Sequence, residues 1–165
     1  ILGISSGGHT AMLASLCPFK PDYLQRSSED GAISYDACVD YYIGISAVLD
    51  SHARYLYAVE TGIENLIQGS LVYFGDEESM KLGSPQHILK NGSYDKLPPS
   101  LLIHGTADAN VPNYIPDNFE TEYKTQGGDI ELVRFEGMPH SFVREPLPES
   151  DQAIEVIKHF IARQL

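Results

Sequence analysis

Apolar positions along this chain alternate between short unbroken runs and longer stretches in which they return every three or four residues. Residues 1–4 (ILGI) form one such run and predict the end of a buried strand. Residues 6–16 follow as a helix whose small residues, Gly7, Gly8, Ala11 and Ala14, permit close packing on a sheet. The stretch 18–34 is polar without a consistent period and predicts a loop, whereas 37–43 (ACVDYYI) is rich in aromatic and β-branched residues and predicts a strand. Between 47 and 71, Leu49, Tyr55, Leu56, Val59, Ile63, Leu66 and Ile67 keep helical spacing around Gly62, which predicts one or two helices. Residues 73–99 are turn-rich, with a short helix at 77–81 and a turn at 85–89, so that 47–99 is the place for a lid or insertion.

The second half is more regular. SLLIH at 100–104 is an apolar run bounded by Pro99 and Gly105, as expected of a strand buried on both faces. A helical pattern over 117–125 stops at Gly127-Gly128, and DIELVRF at 129–135 alternates as a strand does. Residues 150–165 open on a capping Ser150 and carry Ile154, Ile157, Phe160, Ile161 and Leu165 on one helix face. Strands and helices in this alternation predict an α/β fold, a parallel sheet with helices on both sides, in a chain of one-domain length: 165 residues, 42% of them hydrophobic.

Charge narrows the function. Eleven Lys and Arg against 23 Asp and Glu leave a formal net charge of −12, which excludes nucleic acid and anionic membrane surfaces as partners. No apolar run approaches the roughly 18 residues of a membrane span. Cys17 and Cys38 lie among apolar residues and outside metal-ligand spacing, which predicts buried thiols rather than a bridge or a zinc site. His52, His87 and His159 have no partner at ligand spacing, and neither H-E-x-x-H nor a P-loop occurs, so neither metal nor cofactor is expected. The composition suits a cytoplasmic or a secreted protein and assigns no compartment.

Three segments carry chemistry. Gly3-Ile4-Ser5-Ser6-Gly7 matches G-x-S-x-G between a strand and a helix, the setting in which a sharp turn holds a serine hydroxyl out at the C-terminal edge of a sheet. Ser5 is the candidate nucleophile, with Ser6 as a less favoured alternative. The backbone N–H of Ser6, at the helix N-terminus, is the candidate oxyanion donor. Asp108 follows the strand at 100–104 and is the candidate carboxylate, with Asp117 in reserve. His140, in the loop EGMPHSF after the strand at 129–135, is the candidate base. Serine, aspartate and histidine in that chain order, each just beyond a strand, is the order of the α/β-hydrolase triad.

GISSGGHTAMLA, LLIHGTADANVP and FEGMPHSF together resemble the alpha/beta-hydrolase esterase/lipase family, most closely its carbohydrate-esterase-like branch of feruloyl and acetyl xylan esterases; Ser84-Pro85 ahead of PPSLLIHG is similar to that branch too. The resemblance implies a carboxylesterase that works on a small-molecule ester through an acyl-enzyme, with Ser5 as nucleophile, His140 as base then acid, and Asp108 orienting the imidazole. Small acyl groups such as acetyl, or an aromatic acyl group, are the implied substrates. It also implies that the strand at 1–4 is the central, nucleophile-bearing strand and that the chain is the C-terminal half of the fold. A second chain or the N-terminal half would then complete the sheet and supply the second oxyanion donor. Two other readings stand beside this one: a serine peptidase of the prolyl-oligopeptidase type, and a truncated, inactive hydrolase that serves as an interaction module.

Overall fold

The computed structural model of the chain describes residues 1–17 and 38–165. Among the described residues the apolar runs become four strands, β1 (Leu2–Ile4), β2 (Tyr42–Ile45), β3 (Ser100–Gly105) and β4 (Ile130–Phe135), in one parallel sheet of order β1-β2-β3-β4. Leu2 pairs with Ile43, Ile43 with Leu101 and Leu101 with Glu131, so the C-terminal ends of all four strands rise at one rim. The loop expected over residues 18–34 lies outside the described residues.

The two-residue period of the strands divides the core. Tyr42 and Leu102 face α1 (Ser6–Leu16), α5 (Pro85–Lys90) and α6 (Tyr114–Thr125), where Met12, Leu16, Leu89, Phe119 and Tyr123 are wholly or almost wholly buried. Ile43, Ile45, Leu101 and Ile103 face the other way, onto Phe142 and onto Ala153 and Phe160 of the terminal helix α7 (Pro148–Gln164). β2 and β3, buried at every position, are the strands with cover on both faces. β1 lies at one end of the sheet, and Ile1 and Leu2 remain 47% and 48% exposed there.

The chain between β2 and β3 folds into α2 (Ser51–Thr61), α3 (Glu64–Phe74), α4 (Glu77–Leu82) and α5. Gly62, left-handed at φ 70°, ends α2, so the single pattern over 47–71 is two helices. Asp50 and Asp76 cap α2 and α4 through side-chain bonds from Ala53 N–H and Ser79 N–H. The turn expected at 85–89 is instead the short helix α5, because Pro85 at its first position needs no amide partner and Ser84 precedes it in extended backbone.

Three boundaries also move. Of the strand expected at 37–43, residue 37 lies outside the described residues and the strand runs from Tyr42 to Ile45; a Cβ on Gly44 would come 2.3 Å from the Tyr42 hydroxyl, so glycine makes room for that ring and the strand continues through it. The Tyr42 hydroxyl in turn donates to Gly8 O at 3.0 Å and ties β2 to α1. α6 begins at Tyr114, ahead of Asp117, since Pro116 in the first turn forfeits only an N–H that has no helical acceptor. α7 begins at Pro148, and Ser150 is not its cap; its hydroxyl donates to Phe142 O at 3.0 Å.

Candidate functional site

The turn between β1 and α1 sets the site. Ser5 is the N-cap of α1 at φ 54°, ψ −120°, a conformation that costs about 1–3 kcal/mol for a residue with a Cβ and persists only where its surroundings fix it. Here Ser5 N–H donates to Ile45 O at 2.9 Å, and Ser5 O accepts from His9 N–H and Val48 N–H. Close approach of strand and helix depends on Gly3 and Gly8: a Cβ on Gly3 would lie 2.4 Å from Gly7 O, and one on Gly8 2.5 Å from Ala47 Cβ. Gly7, the last glycine of the G-x-S-x-G pattern, faces open space and lines the cavity, so its small size clears the approach to Ser5 rather than easing packing.

At the same rim, the Ser5 Oγ hydroxyl donates to His140 Nε2 at 2.9 Å, and His140 Nδ1 donates to Asp108 Oδ2 at 2.8 Å. Ser5 and His140 stand 135 positions apart in the chain. Asp108 Oδ1 accepts from the N–H groups of Asn110 and Val111, both at 2.9 Å, which fixes the carboxylate in its turn. Burial opposes ionisation of Asp108, but the hydrogen bonds from His140, Val111 and Asn110 outweigh it and hold its pKa below the usual carboxylate value. Ser6 is exposed, and its N–H, the first of α1, has no intrahelical acceptor. Asp117 is elsewhere, paired with Arg134 in the first turn of α6.

Several residues around this rim gave no sign in the sequence. Ser46, fully buried and itself at φ 47°, accepts from Ser141 N–H through its Oγ at 3.1 Å and so anchors the residue after His140 to the end of β2. His104, 1% exposed, donates from Nε2 to Val111 O at 3.0 Å and supports the turn that carries Asp108. His9 donates from Nε2 to Gly83 O at 2.8 Å and packs edge-on against Phe74. A buried serine, or a histidine on a strand or helix, looks like core filling in one dimension; only the register of β2, β3 and their loops gives it a task.

Burial lowers the pKa of His104 and His9, more than Asp108 and Val111 raise the first and Gly83 the second. The fold thus favours the neutral form of both, whereas the unfolded chain takes up protons near the ordinary imidazole value of 6.5. The unfolded state therefore binds more protons as the pH falls from 6.5 towards the lower folded values, and stability is full above that window and declines within it. Urea midpoints measured between about pH 7 and about pH 5 are expected to fall, with at most about 1.4 kcal/mol lost per pH unit for each imidazole. A flat profile would mean that these rings are not buried neutral. Asp108 adds its loss only at lower pH, as the solution drops through its depressed folded pKa.

Beside Ser5 opens a cavity of about 510 Å³. Ser6, Gly7 and His9 line it from α1, Arg54 from α2, and Leu66 and Phe74 from α3. The arrangement can polarise a serine hydroxyl, move its proton to an imidazole, and receive an anionic oxygen at a helix N-terminus. Among the described residues, no group of three or more His, Cys, Asp or Glu side chains is placed to hold a metal ion, and no helix is long and apolar enough to cross a membrane.

The BD-FAE family model matches residues 1–122. A probable isoprenylcysteine alpha-carbonyl methylesterase of Arabidopsis thaliana is 25% identical over 161 residues, covering 89% of this chain and 31% of its own. Among solved structures, esterase 2 of Thermogutta terrifontis phosphonylated by sarin superposes with a TM-score of 0.72 at 26% identity, covering 98% of this chain and 55% of that one. The same esterase with butyrate bound gives 0.69 at 28% identity, again over 98% and 55%. The chain thus spans about a third of the length of the curated relative and just over half of the solved esterase. Its four parallel strands and flanking helices are part of an alpha/beta-hydrolase fold.

Proposed function

We propose, since this chain belongs to the BD-FAE family of alpha/beta-hydrolase esterases, that it cleaves carboxylic esters through an acyl-enzyme on Ser5. The observation that carries the proposal is the continuous hydrogen-bond relay from Ser5 Oγ through His140 to Asp108 Oδ2, at 2.9 and 2.8 Å. Ser5 Oγ attacks the ester carbonyl carbon as its proton passes to His140 Nε2. The carbonyl oxygen becomes an oxyanion and accepts from Ser6 N–H at the positive end of α1. Collapse breaks the C–O bond, the departing alkoxide takes the proton from His140, and a water activated by the same imidazole then releases the acid and restores the Ser5 hydroxyl. Asp108 stays ionised throughout and stabilises the imidazolium.

The bond from Ser5 Oγ to His140 Nε2 supports Ser5 over Ser6 as the nucleophile. Small acyl groups are the substrates this reading favours, supported by the butyrate complex of the Thermogutta esterase. Residues of α2 and α3 line the cavity opposite α1, which supports a lid role for this part of 47–99. A fluorophosphonate probe is the fitting test, since that esterase is phosphonylated by sarin. Stoichiometric labelling mapped to Ser5, together with release of nitrophenol from para-nitrophenyl acetate, is expected. Folded protein that stays unlabelled would remove the enzyme reading and favour an interaction module, and hydrolysis of a dipeptidyl amide alone would favour a peptidase.

A further inference from the structure

The cavity beside Ser5 has one charged side chain among its lining residues, Arg54. The chain carries 23 Asp and Glu and a net charge of −12, yet among the described residues no carboxylate lines this cavity. Arg54 is half-buried on α2, and among the described residues no acidic group lies within ion-pair distance of it. Its Nη2 donates to Ser70 Oγ at 3.3 Å, a long bond to a hydroxyl already committed to Leu66 O, and its Nε is buried without a partner. Burial lowers the pKa of the guanidinium, with no carboxylate to oppose it. His9, also in the lining, is an imidazole and supplies no negative charge to Arg54.

An arginine kept only to join α2 to α3 through Ser70 would be matched by an acid or turned to water, because an uncompensated charge next to an apolar wall is costly. A guanidinium is also the side chain best shaped for a planar carboxylate, through paired charge-assisted hydrogen bonds. The surrounding negative field repels anions, so a cation in a cavity that no described carboxylate lines gives an anionic group a favourable seat. We infer that Arg54 is a specificity residue, and that the ester cleaved at Ser5 carries a free carboxylate, on its acyl or its alcohol side, that this guanidinium receives. The inference rests on the esterase reading and names the substrate class of that site.

Two matched pairs test it and separate the two sides. For the acyl side, para-nitrophenyl hemiglutarate is compared with para-nitrophenyl methyl glutarate; for the alcohol side, para-acetoxybenzoate is compared with para-acetoxybenzamide. In one pair or the other the acid is expected to be preferred by about tenfold or more in kcat/KM, chiefly through KM, with the preference screened by salt. Arg54→Gln should bring the ratio to about one, and Arg54→Lys should keep part of it, which a clamp for Ser70 alone would not explain. Calorimetry with Ser5→Ala protein measures the seat without chemistry: each acid should bind more tightly than its neutral partner, and the difference should vanish in Ser5→Ala/Arg54→Gln. Ester hydrolysis with no preference for either acid, and no carboxylate-dependent binding, would overturn the inference and leave the esterase reading intact. Carboxylate-dependent binding without labelling or hydrolysis would overturn the esterase reading, and with it the substrate class, and leave Arg54 as a carboxylate seat alone.

Discussion

Asp108→Asn is expected to lower kcat for ester hydrolysis by about 10⁴-fold while the protein stays folded. Asp108 Oδ1 accepts from Asn110 and Val111 N–H, and an asparagine carbonyl oxygen can keep both bonds. Its amide nitrogen then replaces Oδ2 opposite His140 Nδ1, where a donor now faces a donor. The imidazole answers by moving its proton to Nε2, and it can no longer accept one from Ser5. The geometry survives and the tautomer is wrong. Steady-state hydrolysis beside a thermal melt checks this. A loss below about tenfold would show that Asp108 only holds its turn, and a collapsed melt would show that the charge was structural.

Gly105→Ala is expected to damage both stability and turnover, from outside the reacting groups. Gly105 ends β3, and a Cβ on it would lie 2.1 Å from Met138 O, 2.7 Å from Met138 C and 3.0 Å from Pro139 O. All three are backbone atoms, so no rotamer relieves the clash, and the segment that must retreat leads directly into His140. Overpacking of this kind costs about 1–3 kcal/mol, and a shift of about 1 Å in a catalytic group costs about 10²-fold in rate. The same retreat would strain the bond from Ala107 N–H to Met138 O, which binds the Asp108 turn to the His140 loop. Reduced kcat with a lowered urea midpoint is the expected pair of readings; native values of both would mean that the loop has slack.

The difference between these two positions shows what a sequence displays and what it conceals. Ser5, Asp108 and His140 could be picked out because each follows a strand, and the ends of parallel strands are forced to one rim whatever the loops do. The β3 run is plain because a strand covered on both faces shows an unbroken apolar block, Leu101-Leu102-Ile103, set between Pro99 and Gly105. The end of strand β2 is less legible, because Gly44 belongs to it only by virtue of the Tyr42 ring that fills the space a Cβ would take. Ser46, His104 and Arg54 were silent because each gains its meaning from a neighbour more than fifteen residues away or from a turn folded back on it. Even the familiar motif was only partly understood: Gly3 and Gly8 are held small by contact, and Gly7 is not.

One consequence follows from the distance along the chain between Ser5 and His140. A bond that closes a loop of this length cannot form from local order; it waits until β1, β2, β3 and β4 have all found register, which in parallel sheets is late and slow. Hydrolytic competence should therefore be the last property to return on refolding and among the first to go on heating, so that covalent titration of Ser5 counts fully native molecules where a helix signal would count partial ones.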